Sequence, residues 1–336
     1  MKGLAPMRAA APPPMAGAPL APRQRWLVAA KLVLVLLALV VLVRWALAEL
    51  KPAPGAPETP GLALDGVVAA VLLNQAALFV AALRLRATLA AFRVQLTPGQ
   101  AMAIHLRSLF YFFFLPLVGQ EVSRYIDVRR IDPTVPAKKL LLLLLLDRGL
   151  GLVAALAAIA AFAYAVLPAR VWALFDLRWL AIGAAAALGA CGLILLRRPW
   201  RERAAELLEV LRQGSVRLLV PVLLSLLALA LVCAAVYAVA AASGWGAGFA
   251  QVSFGLSASL LGMAVPVSVF GATVGEPTGV GVMALLGLSS ALAVMLISLA
   301  YVGRLLGAMQ GAALELHGGV RGLRRAQTTS CKGETP

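Results

Sequence analysis

The 336-residue chain is 62% hydrophobic and 13% charged, with a mean hydropathy of +0.93; ordinary globular domains sit nearer half apolar and a quarter charged. No polar block exceeds about 30 residues, which leaves no room for a separate soluble catalytic domain, so the chain reads as one integral membrane domain with short loops. The net charge of +16 does not argue for nucleic acid, because the basic residues cluster between apolar runs and never interleave with aromatics on a soluble face.

Residues 1–26 are Pro/Ala-rich and basic (Lys2, Arg8, Arg23, Arg25) and are expected to be a disordered cytoplasmic tail. They precede an apolar run at 27–46. A cleaved signal peptide is the rival reading, helped by Ala46-Leu47-Ala48. The run is longer than a usual signal core, and Arg44 and Trp45 intrude before any cleavage site, so an uncleaved first span is favoured. Further runs follow at 63–83, 99–118, 140–167, 179–196, 218–242, 249–270 and 280–303, against a spanning requirement of about 20 mostly apolar residues.

Charge sorts these runs. Arg84, Arg86 and Arg93 place the loop after the second run inside, and Arg124, Arg129, Arg130, Lys138 and Lys139 do the same after the third. With both flanks basic, 99–118 enters from the cytoplasm and returns without crossing. The segment 197–217 is again basic, with Ala204, Leu207, Leu208 and Leu211 at helical spacing, and reads as an amphipathic interfacial helix. From Arg217 to Arg304 there is no other Lys or Arg, so parity decides. Both ends of that stretch are cytoplasmic, three runs lie between, and the proline-broken 249–279 region is the one that re-enters, from outside.

The expected fold is therefore an all-α polytopic membrane protein with about six spanning helices and two oppositely oriented re-entrant hairpins. Together these make an inverted repeat within 27–316, followed by a cytoplasmic tail at 317–336.

Both expected hairpins carry the same break. FFFLPLVGQEVSR has Pro116, Gly119 and Glu121, with Arg124 three residues on; GMAVPVSVFGATVGEPTGV has Pro266, Gly271, Gly275 and Glu276. Proline and glycine stop a helix, and lipid cannot satisfy the freed backbone groups. An ionisable group at such a break is a candidate functional residue. Simpler readings stand beside this one: Glu121 pairing locally with Arg124 in a cytoplasmic loop, and Glu276 solvated in an external loop. Glu276 is the one charged residue between Arg217 and Arg304.

Asp147 and Arg148 interrupt KKLLLLLLLDRGLGL, with Asp147 eight residues past Lys139, about 12 Å into the membrane. Neighbours on a helix point about 100° apart, so at least one must meet another element. A structural ion pair between helices is the plainer alternative. Arg107 and His105 are expected to snorkel to the cytoplasmic interface, and Arg304, three residues after Tyr301, either to snorkel or to point inward.

The scattered Cys191, Cys233 and Cys331, with only His105 and His317, give neither a disulfide framework nor a metal set. No phosphate-binding loop, nucleophile–base–acid set or other cofactor motif is present. A mixed set of carboxylates and guanidinium groups suits binding a zwitterionic or anionic head group during passage, not bond making.

At these residues the chain resembles the flippase-like membrane family found as the transmembrane half of lysylphosphatidylglycerol synthases, over roughly 27–315. The likeness rests on LPLVGQEVSR (115–124), LLDRGLGL (145–152), VPVSVFGATVGEP (265–277) and YVGRLLG (301–307). Pro116, Gly119, Glu121 and Arg124 fill the places of the family's first motif, Asp147 and Arg148 its Asp-Arg pair, and Tyr301 and Arg304 its late segment. The second hairpin departs: the family has arginine just before the glutamate, and here Gly275 precedes Glu276.

The resemblance implies lipid translocation in a bacterial inner membrane with both termini cytoplasmic, by a stand-alone domain without the soluble synthase activity. Its partners would be a membrane lipid and a lipid-modifying enzyme encoded nearby. A membrane enzyme acting on a lipid-linked phosphate, and a non-transporting scaffold for a synthase, are the alternatives.

Overall fold

A computed structural model describes residues 63–114, 118–167, 217–263, 268–269 and 272–330. Among these residues the chain is helical throughout, with eight helices and a two-residue antiparallel ladder. The expected spans at 27–46 and 179–196, the interfacial segment 197–217 up to residue 216, the tail 1–26 and the breaks Pro116, Pro266 and Gly271 lie outside the described residues.

The first unit begins with α1 (Leu64–Ala91). It runs on past residue 83 through Arg84 and Arg86, so these arginines belong to a helix and not to a loop. The chain leaves it through Arg93, whose φ of 68° is left-handed. A reciprocal cap then opens α2 (Pro98–Phe114). The Thr97 N–H donates to Gln100 Oε1 at 2.8 Å, the Gln100 N–H donates to Thr97 Oγ1 at 3.2 Å, and Pro98 takes the first helical position, where its missing N–H costs nothing. The short α3 (Val118–Ile131) returns along α2, and α4 (Ala137–Val166) completes the unit.

The second unit repeats this order: α5 (Leu219–Ala242), α6 (Phe249–Gly262), a ladder pairing β1 (Ser268–Val269) with β2 (Ala272–Thr273), α7 (Gly275–Leu285) and α8 (Ser290–Ser330). The apolar run 280–303 is not one span. It is cut at Gly287, where φ is +89°, and Ser289 Oγ caps the new helix by accepting from the Leu292 N–H at 3.3 Å. Residues 280–285 thus belong to the returning arm α7. Hydropathy is continuous across Gly287, but backbone handedness is not.

Among the described residues four helices are long and apolar enough to cross a membrane: α1, α4, α5 and residues 290–315 of α8. With 14 and 11 residues, α3 and α7 reach only about 21 and 17 Å, short of a hydrocarbon core of about 30 Å.

Packing is reciprocal between the units. The first arm of each pair rests on the last helix of the other unit, α2 on α8 and α6 on α4, while α3 and α7 lie against the long helix that follows each. The seam is formed by α1 and α5, which are antiparallel. At one end a Cβ on Gly66 would lie 2.7 Å from Ala242 Cβ, and the Ala63 N–H donates to Ser243 Oγ at 3.1 Å. At the other end Leu218 and Val222 of the α5 start pack with Leu85, Leu89 and Phe92 of the α1 end. Since α2 starts beyond the end of α1 and α6 beyond the end of α5, the feet of the two short-helix pairs stand at opposite ends of this seam, about 40 Å apart along a 28-residue helix, while Phe112 and Phe113 near the end of α2 pack in one cluster with Met263 just past α6.

Candidate functional site

Each short-helix pair places one carboxylate near its tip, in the first turn of its returning arm: Glu121 on α3 and Glu276 on α7. Each meets an arginine well inside the following long helix. Arg148 Nη1 donates to Glu121 Oε1 at 3.1 Å, and Arg304 Nη2 donates to Glu276 Oε1 in a short ion pair. Arg148 is the twelfth residue of α4 and Arg304 the fifteenth of α8, about 17 and 21 Å from the helix starts and so at comparable distances along the two long helices. Two Glu–Arg pairs, one per unit, therefore occupy matching places.

Around the first pair the arrangement is dense. Asp147, wholly buried, accepts from Arg84 through two parallel bonds of 3.0 Å, from Thr88 Oγ1 at 3.3 Å and from Arg124 Nη1 at 3.4 Å. Arg124, 3% exposed, also donates to Ser108 Oγ at 3.1 Å, contacts His105 Nδ1 at 3.3 Å and lies 3.8 Å from Glu121 Oε1. Asp147 and Arg148 thus serve different partners, α1 with α3 on one side and Glu121 on the other, as their angular separation requires.

Two expectations are corrected. Arg124 is not in a cytoplasmic loop but buried on the inner face of α3, because carboxylates and a hydroxyl from three helices satisfy its donors. His105 does not snorkel; it is buried, 6% exposed, against Arg124.

Arg107 reaches a separate, shallower group. Its Nη1 donates to Asp127 Oδ2 at 3.5 Å, its Nε lies 3.9 Å from Glu315 Oε1, and Tyr111 donates to the same Glu315 oxygen at 3.3 Å. Burial pushes the Asp127 carboxyl above its ordinary range, against the pull of Arg107 and Arg130.

The second Glu–Arg pair is smaller and more fully bonded. Glu276 Oε2 accepts from the Thr273 N–H at 2.5 Å and from Thr273 Oγ1 at 2.7 Å, while Arg304 takes Oε1. The ladder places Thr273 there, and the Gly275 N–H holds its hydroxyl at 3.0 Å. Arg304 also contacts Met263 Sδ at 3.3 Å and lies 5.5 Å from the Tyr301 ring, which stands edge-on to Phe113 at the end of α2. A solvated external loop does not describe Glu276, whose side chain is 15% exposed.

Gly275 explains the departure from the family pattern. It begins α7 against α6, where any Cβ would press on the Ser259 carbonyl, and a Cβ on the facing Gly262 would come within 2.8 Å of Gly275 Cα. A side chain there would have to push α6 away, and the cation that meets Glu276 is Arg304, from α8. Gly119 lies within the first turn of α3.

Sequence reasoning missed Arg84, Thr88, Ser108 and Thr273 as ligands of the charged groups. It also missed a polar tie between α1 and α8, in which Asn74 Nδ2 donates to the Gly303 carbonyl at 3.0 Å and Gln310 Nε2 to Gln75 Oε1 at 2.9 Å. One signal was present: Asn74 and Gln75 stand inside an apolar run, and Arg84 and Thr88 share a helix face. No group of three or more His, Cys, Asp or Glu side chains suited to a metal occurs among the described residues.

A family model described as the lysylphosphatidylglycerol synthase TM region matches residues 26–303. No match is found among proteins of curated function or among solved structures.

Proposed function

The chain belongs to the lysylphosphatidylglycerol synthase transmembrane-region family and is a multi-pass helical membrane protein, and we propose that it moves a lipid head group between leaflets. One observation carries this reading: two Glu–Arg pairs at matching places, on short-helix pairs that start from opposite ends of the antiparallel α1–α5 seam. Such a relation suits an inverted repeat with its site near the midplane. In this reading the short-helix pairs are re-entrant hairpins and the whole chain has six spans. It sits in a bacterial inner membrane with both termini cytoplasmic.

The head group passes along the polar tips while its acyl chains stay in lipid. Arg107, Arg124 and Arg148 supply positive potential toward a phosphate, with Arg148, 24% exposed, the accessible member beside Glu121. Glu121 offers an acceptor to donor groups, Glu276 bears on passage through its pair with Arg304, and Asp147 and Arg304 hold this machinery in place. Arg84 and Arg124 confine Asp147 to a fixed structural role, since both its oxygens are occupied. A lipid-modifying enzyme would supply or consume the lipid.

Purified protein in liposomes carrying acyl-labelled phospholipids should speed label exchange between leaflets, and Glu276→Gln should slow it. Exchange no faster than in protein-free liposomes, for every phospholipid class tried, sinks the proposal.

A further inference from the structure

The two Glu–Arg pairs occupy matching places but differ in what they leave free. Glu276 is saturated: Arg304 holds Oε1, and Thr273 gives Oε2 both its N–H and its hydroxyl. Glu121 is half used. Its Oε1 serves Arg148 at 3.1 Å and faces Arg124 at 3.8 Å, while Oε2 is buried and has no hydrogen-bond partner among the described residues. A buried carboxylate oxygen without a donor is costly, more so than a neutral acceptor, and persists where a ligand uses it. Among the described residues Arg148 donates through Nη1 alone, and it is a quarter exposed, so further N–H groups of a planar fork remain for an anion.

We infer that the pairs have unlike jobs: Glu121 with Arg148 is the head-group recognition site, and Glu276 with Arg304 is a latch that closes the opposite hairpin on α8. The occupant of the recognition site is a phosphate bearing a neighbouring hydrogen-bond donor, an ammonium or a hydroxyl. The phosphate lies on Arg148 and the donor points at Glu121 Oε2. The latch does not select among head groups, because no oxygen of Glu276 is left to read one. This assignment rests on the translocation reading for its purpose, but the binding preference stands on the site alone.

Three phospholipids separate the chemistry. Phosphatidylethanolamine offers an ammonium donor, phosphatidylglycerol offers hydroxyls, and phosphatidylcholine carries a phosphate and a cation with no donor. Retention of each by the purified full chain is read by native mass spectrometry, and leaflet exchange is read in parallel in liposomes.

The expected result is a preference of roughly tenfold for one or both donor lipids over phosphatidylcholine, the size of a hydrogen bond to a charged acceptor. Whether the ammonium or the hydroxyl lipid leads identifies the donor. In Glu121→Gln the amide oxygen stays with Arg148 and the NH2 replaces the free acceptor with a donor, so the preference should disappear. Glu276→Gln and Thr273→Val should keep the preference while changing exchange of all three lipids alike.

Equal retention of the three lipids by the wild type, or an unchanged preference in Glu121→Gln, overturns the inference. So does loss of preference in Glu276→Gln. Should Glu121→Gln fail to fold, Glu121→Asp withdraws the free oxygen by one methylene, and a wild-type preference there overturns the inference equally. Exchange without preference sinks this assignment alone, whereas preference without exchange sinks translocation alone.

Discussion

Asp147 is the residue whose surroundings matter most to stability. It is wholly buried, and two guanidinium groups and a hydroxyl fill its oxygens. Removing one member of such a group leaves an uncompensated buried charge, which costs about 3–5 kcal/mol, whereas replacing both members with apolar side chains can be nearly neutral. Asp147→Leu should therefore lower the thermal unfolding temperature sharply in detergent, and Arg84→Met should do the same. The double variant should recover the part of the loss carried by the Arg84–Asp147 pair, Arg124 still being left without Asp147, and losses that simply add would show that Arg84 and Asp147 are not coupled. The need for such partners was legible in the sequence, because adjacent Asp and Arg on an apolar helix cannot face each other. The identity of the partner was not. Arg84 sits just beyond an apolar window and looks like a loop base until the helix is seen to continue to Ala91.

The same limit recurs at the level of elements, where hydropathy reports burial and not direction. The returning arm α7 is apolar and joins the apolar start of α8 without a polar break, so only the positive φ of Gly287 separates them. On the other hand α3 has a low share of apolar residues, yet it is a helix that buries Arg124 and Ser123. Its polarity disguised it as a loop. Glu121 and Glu276 each fall in the first turn of a short helix, close to Gly119 and Gly275.

The close approach of α6 to α7 depends on small residues, with Gly255, Ser259 and Gly262 facing Gly275, Gly279 and Met283. Gly275→Arg should separate these arms and pull Glu276 from Arg304. The expected result is a clear loss of thermal stability, on the order of 2 kcal/mol or more for an overpacked contact. A wild-type unfolding temperature in this variant would mean that the tip repacks and that Gly275 does not set the helix separation.

For the whole molecule, charge and parity predict two oppositely facing hairpins, and the geometry that bears on this relation is the antiparallel seam of α1 and α5. Ala63 stands beside Ser243, and Leu218 beside the Leu89 end of α1. If that seam crosses a bilayer, then Thr97 at the foot of α2 and Gly248 at the foot of α6, both exposed, must face opposite compartments. Single cysteines at these positions, in a background with the three native cysteines replaced, make the relation measurable. A membrane-impermeant thiol reagent added to intact cells should label Gly248→Cys and spare Thr97→Cys. In inside-out vesicles the labelling should reverse. Thr134→Cys, in the exposed turn after α3, should follow Thr97→Cys, because α3 is too short to cross and returns to the side from which α2 entered. Labelling of Thr97→Cys and Gly248→Cys from the same compartment would require the seam helices to lie along the membrane instead of through it, and the inverted repeat would fall with that result.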